Sequence, residues 1–268
     1  MKKYLTMSSA YRFGVRAFGC NILVETSDHE AHSVLERYVF PSLPRMNGAG
    51  GPHDLRLRIV AVADRFEMSV DDAAVASASR AIGLVPDLIR ALDEAVVQHL
   101  TDLRAVHAGA VMLNGRALLL PGTTHAGKSS LIAELLRRGA TYFSDEYALI
   151  DAYGRVHPYP RPLLLRNGGP EKIPVLPEEY SASVGHASVP VGWILSLEHV
   201  PGCVWNLATI PQSEAVLTLL RNTPHNLEES TDMVGVFQRA VAGAACYAGR
   251  RPEAAHAVNE ILKLVENS

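Results

Sequence analysis

The stretch "ALLLPGTTHAGKSSLIAELLRRGATYFSDEYALI", Ala117 to Ile150, decides how the rest of the chain is read. It opens with a continuous apolar run, Ala117 to Leu120, the mark of a buried strand. Gly122-Thr123-Thr124-His125-Ala126-Gly127-Lys128-Ser129 then satisfies Gly-x-x-x-x-Gly-Lys-Ser/Thr without a mismatch. Glycines let backbone amides curl around phosphate oxygens with no Cβ in the way, and the N-terminus of the next helix adds partial positive charge. On this reading Lys128 reaches the outer phosphates, the Ser129 hydroxyl ligates Mg²⁺, and Gly122 through Ser130 bind the nucleotide. "SSLIAELLRR" sets Leu131, Leu135 and Arg138 on neighbouring helical turns, with Gly139 as the stop. Phe143-Ser144-Asp145-Glu146 ends the strand that follows. A carboxylate there can hold Mg²⁺ or take the proton of an attacking hydroxyl. Neighbours in a strand point to opposite faces, so the two acids would have different tasks.

Working outward, "AVHAGAVMLNGRALLL" reads as a hairpin turning at Asn114-Gly115, and it carries His107 towards the phosphate loop. His107 is either structural or a group that tunes a proton beside a bound phosphate, and His125 faces either phosphate or solvent. Two strands are expected around a turn at Asp151–Gly154, followed by "HPYPRPLLLRNGGPEKIPVLP", too rich in Pro and Gly for a regular element. Arg161 in that segment is either a surface residue or a contact for phosphate or substrate. Upstream, Tyr11 to Thr26 reads as one or two strands, and "LRLRIV" alternates as a half-exposed strand. "PDLIRALDEAVVQHL" has helical spacing. Residues 1–104 are therefore expected to form a small α+β lobe and residues 105–268 the catalytic domain, with a helical C-terminal region.

Composition limits the alternatives. The 268 residues are 48% hydrophobic, enough for a sizeable core, and the net charge of −3 gives no footprint for nucleic acid. Only five lysines occur, so one placed in a loop is informative. Cys20, Cys203 and Cys246 suit a reducing compartment and give neither a disulfide framework nor metal-ligand spacing. There is no signal-peptide pattern and no apolar run of membrane-spanning length, so a cytoplasmic protein without a membrane partner is expected.

"VHAGAV", the loop with its helix, "YFSDEYALID" and "HPYPRPL" together resemble the catalytic domain of HPr kinase/phosphorylase and the wider HPr-kinase-like group, related in fold to ATP-dependent phosphoenolpyruvate carboxykinase. The resemblance spans about Ala105 to Leu165. It implies an α/β phosphate-loop domain of that type, with ATP and Mg²⁺ as cofactors. It also implies Asp145 as general base, Glu146 near Mg²⁺ with Ser129, and His107 as helper of the base or sensor of phosphate. Thr123, Thr124, His125 and Ser130 replace the acid, serine, middle glycine and final glutamate of the family loop. These departures argue against a true HPr kinase with its reverse phosphorylase reaction. Members of the wider group include enzymes similar to lasso-peptide tailoring kinases, so a serine of a peptide or small protein is the expected acceptor. A small-molecule kinase and a non-catalytic nucleotide-binding regulator are the alternatives. True HPr kinases form hexamers, so a homo-oligomer is carried as a further expectation of the resemblance.

Overall fold

The computed structural model of the chain describes residues 11–43, 45–46, 51–122, 127–166, 169, 171–224 and 232–267. Two units emerge, Met1–Leu100 with Arg166–Pro174 and Thr101–Leu165 with Val175–Ser268. In the first, Tyr11–Ala17 (β1) and Cys20–Thr26 (β2) form a hairpin that leads into His29–Tyr38 (α1). Asp28 starts that helix: its carboxylate accepts the Ala31 N–H at 3.0 Å. Leu55–Val62 (β3), Arg65–Val70 (β4) and Ala73–Ala78 (β5) complete a five-stranded sheet in chain order, with β2 and β3 parallel across α1. The alternation of "LRLRIV" is realised in β3, where Leu55, Leu57 and Ile59 are buried and Arg56 and Arg58 half-buried. Val85–Gln98 (α2) buries Leu88, Leu92 and Val96 as its spacing predicts.

Glu25 on β2 is buried yet meets three arginines, with Arg56 Nε donating at 2.7 Å, Arg58 Nη2 at 3.3 Å and Arg12 Nε 3.4 Å away. Burial by itself pushes this carboxyl up, but the hydrogen bonds and charges of Arg56 and Arg58 outweigh it and hold the group below its ordinary value.

The second unit is built on Leu103–Leu113 (β6), Arg116–Pro121 (β7), Lys128–Arg137 (α3), Thr141–Ser144 (β8), Tyr147–Asp151 (β9) and Arg155–His157 (β10). Leu163–Arg166 (β11) and Lys172–Val175 (β12) lie where the chain passes into the first unit and back, and the second unit continues with Val189–His199 (β13), Asn206–Thr209 (β14), Gln212–Arg221 (α4), Met233–Val241 (α5), Ala245–Arg251 (β15) and Ala254–Glu266 (α6). The main sheet runs β10-β9-β6-β7-β13-β15-β14, with β8 also on β6. β10 pairs again with the start of β13, so β9, β6, β7, β13 and β10 close a circuit. The hairpin turns at Asn114 and Gly115, with φ of 49° and 75°, as the type I′ geometry requires. α3 ends at Gly139 in a Schellman motif, with Gly139 N–H on the Leu136 carbonyl and Ala140 N–H on that of Leu135.

Helices cover both faces of the sheet. Leu131, Ile132 and Leu135 of α3 pack with Val258 and Ile261 of α6 against Val111, Leu118, Leu120, Trp193 and Leu195. On the other face Val216 and Leu219 of α4 and Phe237 and Val241 of α5 pack against Ala110, Leu119, Ile150 and Ile194. The strand residues alternate between the two clusters, as the pleat dictates. The architecture is thus a mixed α/β domain with a sheet between helical layers.

Two expectations are corrected. The C-terminal region is not simply helical: β15, "ACYAGRR", is inserted between β13 and β14. Its Ala and Gly residues carry little strand propensity, and pairing on both edges overrides that. The Pro/Gly-rich segment after His157 is not wholly irregular either, since β11 and β12 pair as a two-stranded sheet.

Candidate functional site

β7, β13 and β15 are parallel, so Pro121, His199 and Arg251 end at the same edge of the sheet. Crevices outside the carboxyl ends of parallel strands are where open α/β sheets bind ligands. β7 delivers Gly122 to that edge, and Gly127, with φ of 71°, is the N-cap of α3. Thr123, Thr124, His125 and Ala126 lie outside the described residues. Gly127 offers no side chain to the first-turn N–H groups, so no side-chain cap competes for them. Lys128 is buried, and its ammonium donates to the Gly122 carbonyl at 2.7 Å. Ser129 is half-buried and Ser130 exposed.

The acids reach this edge through β6. The Gly122 N–H donates to the His107 carbonyl at 3.3 Å on one side of that strand. On the other side His107 faces Tyr147 of β9, and the Ala108 N–H donates to the Glu146 carbonyl at 3.1 Å. β8 and β9 thus run along β6 with Asp145-Glu146 between them, opposite Gly109 and Ala108. The two acids lie in different surroundings: Asp145 is buried, whereas the Glu146 side chain is 45% exposed. Glu146 Oε1 lies 2.7 Å from His107 Nε2, a hydrogen bond in which the ring N–H donates to the carboxylate. Gly109 permits the close stacking of α3 on this strand, because a Cβ there would stand 2.9 Å from Ile132 Cγ1.

The segment after β10 lines the same strands. The Tyr159 N–H donates to the Phe143 carbonyl at 2.9 Å, and the Tyr142 hydroxyl to the Arg161 carbonyl at 2.8 Å. Arg161 is therefore no surface residue: it is buried, its guanidinium lies 4.0 Å from the Tyr159 ring centre, and Nη2 donates to the Tyr159 hydroxyl. His157 ends β10, beside Leu149 of β9, and its Nε2 lies 2.8 Å from Asp151 Oδ2. Burial raises the Asp151 carboxyl, but the N–H groups of Arg155 and Tyr153 and the His157 ring more than offset it and hold the group below its ordinary value.

No family model matches the sequence, and no curated protein matches it. Among solved structures the chain is similar to the Hpr(Ser) kinase/phosphatase of Coxiella burnetii, at 17% identity over 61% of this chain and 95% of that one, with a TM-score of 0.33. A likeness this slight does not bear on activity. The chain's own residues carry the chemistry.

One of them is invisible to motif reading. Arg251, the last residue of β15, is buried, donates from Nη2 to the Gly127 carbonyl at 3.0 Å and from Nη1 to the Pro252 carbonyl at 2.9 Å. A Cβ on Gly127 would collide with that guanidinium. Burial pulls the Arg251 pKa down, with Glu253 and then Cys203 opposing it. Together with Lys128 it lines a small recess of Leu120, Pro121, Leu131, Leu195 and Leu197. In sequence it is the second Arg of "GRRP" in an Ala-rich tail, and only the strand that carries it across the sheet reveals its place.

Proposed function

We propose that the chain is a Mg²⁺–ATP-dependent kinase that phosphorylates a serine hydroxyl of a peptide or small protein, most simply a ribosomally made peptide of the lasso-peptide type. The observation that carries this reading is the arrangement on β6, which borders Gly122 on one side and Asp145, Glu146 and the Glu146–His107 hydrogen bond on the other. A protein that only held a nucleotide would have no use for acids and an imidazole at that edge.

The residues present fit the cofactor. The first-turn N–H groups of α3 and the Lys128 ammonium suit phosphate oxygens, and the Ser129 hydroxyl with Glu146 offers hard oxygen donors for Mg²⁺. When bound, Mg²⁺–ATP supplies the phosphoryl group and the divalent charge that balances the leaving diphosphate. The protein does the rest. Asp145 accepts the proton of the serine hydroxyl as its oxygen forms the new bond to phosphorus. His107, held through Nε2 by Glu146, fixes the orientation of that carboxylate beside the loop. Arg251 pins the Gly127 carbonyl, so the N-terminus of α3 keeps its position without reorganising during transfer. Buried Arg161 offers a second cation to the transferred group or to substrate.

Mass spectrometry tests this directly: serine-containing peptides, some ending in serine, are incubated with Mg²⁺–ATP and either wild type or Asp145→Asn. One added phosphate with wild type alone is the expected result. No transfer to any peptide, with tight ATP binding retained, would remove the peptide kinase and leave a small-molecule acceptor or a nucleotide-gated regulator.

A further inference from the structure

We propose that Cys20, Asp54 and His99 form a divalent-cation site in the N-terminal unit, of the three-ligand kind that suits Zn²⁺. Their donor atoms all lie within 4.8 Å of one another. Each side chain is brought there by a separate backbone anchor. Cys20 opens β2 after the Phe18-Gly19 turn and is completely buried. Asp54, just before β3, exchanges hydrogen bonds with Asn21: its N–H donates to the Asn21 carbonyl at 2.7 Å, and its Oδ2 accepts the Asn21 N–H at 2.8 Å. That leaves Oδ1 turned to His99 Nε2, 3.7 Å away. His99 caps α2, with Nδ1 2.7 Å from the Ala95 carbonyl.

The imidazole decides the chemistry. A carbonyl only accepts, so Nδ1 carries a proton, and in the neutral tautomer this selects, the Nε2 lone pair is the one that faces Asp54 and Cys20. A ring held through one nitrogen by a carbonyl, with the other facing anionic donors, is arranged as metal-ligating histidines are. Without a cation or an added proton, lone pairs face lone pairs. A dication among the three donors satisfies all of them at once, because coordination takes the thiol as thiolate. Donors bound to tetrahedral Zn²⁺ at about 2.0–2.3 Å stand roughly 3.3–3.7 Å apart, so the three need to close by only about 1 Å. The Asp54 and His99 side chains are each 36% exposed, which leaves a fourth position open to water. Thiolate and imidazole favour Zn²⁺ over Mg²⁺, so this site is separate in chemistry from the one proposed at Ser129 and Glu146. No spacing motif announces it, since its ligands come from a hairpin, a loop and a helix end.

The test uses the full chain without a polyhistidine tag, titrated with Co²⁺ in excess Mg²⁺. The expected result is one equivalent of Co²⁺ with a thiolate-to-metal charge-transfer band, displaced by Zn²⁺. Cys20→Ser should abolish the band, and Cys246→Ser should leave it unchanged. Asp54→Asn keeps an oxygen for the Asn21 N–H and should weaken Co²⁺ binding at least tenfold. A wild type without the band, or a band that survives Cys20→Ser, overturns the proposal. If Cys20→Ser does not fold, unchanged Co²⁺ affinity in both Asp54→Asn and His99→Gln overturns it as well.

Discussion

Lys128 spends one of its three donors on the Gly122 carbonyl, which tethers the ammonium across the ends of the loop. Lys128→Met should leave the fold intact and weaken ATP by roughly 10- to 100-fold, the worth of a charge-assisted hydrogen bond of about 1.5–3 kcal/mol. Titration with a fluorescent ATP analogue measures it, and an unchanged affinity would exclude Lys128 from the phosphate contacts. Gly127 is constrained twice, by its positive φ and by the Arg251 guanidinium against its α-carbon. Gly127→Ala should therefore lose about 1–2 kcal/mol from backbone strain alone and more from displacing Arg251. Arg251→Ala introduced into Gly127→Ala should recover part of the ATP affinity, whereas two independent losses would show that the residues do not communicate.

Among the elements, β6 and α3 set the tolerance of the site. Gly109→Val would force α3 away from the strand, an overpacking that should lower stability by about 1–3 kcal/mol in urea unfolding and reduce ATP binding with it. Gly109→Val with Ile132→Ala should restore much of both, because the colliding atoms belong to that isoleucine. These elements were legible in sequence: the Asn114-Gly115 turn, the apolar run of β7 and the stop at Gly139 each have a local cause. Nothing local announced β15, whose small residues pair because strands flank them on both sides. The same holds within the site. Lys128 and Asp145 carry motif signals, whereas Arg251 and the burial of Arg161 depend on contacts between segments distant in the chain. The acids were recognised as a pair, but the partnership of Glu146 with His107 follows only from the register of β9 on β6.

At the scale of the whole molecule, the response to acid should be governed in part by Glu25. Its folded pKa lies below the unfolded value, so the stability it contributes is fully present above about pH 4.3 and is lost as pH falls through the folded value. Glu25→Gln should thus destabilise the N-terminal unit by about 1–3 kcal/mol at pH 7, leaving Arg56 and Arg58 without their shared partner. Urea unfolding of both proteins at pH 7 and at pH 3 checks this. The difference should shrink at the lower pH, and a constant difference would assign the effect to packing. Among the described residues no helix is long and apolar enough to cross a membrane.

The closed circuit of β9, β6, β7, β13 and β10 has a consequence in time as well as space. A strand bonded along both edges within a ring cannot fray from an end, so its amides meet solvent only when the unit opens as a whole. The Ala108 N–H, bonded to Glu146 beside the candidate base, should therefore exchange with deuterium at the rate of global unfolding, while amides of edge strand β14 exchange orders of magnitude sooner. If so, the distance between the acids and Gly122 is fixed before any ligand arrives, and no binding energy goes into assembling that side of the site.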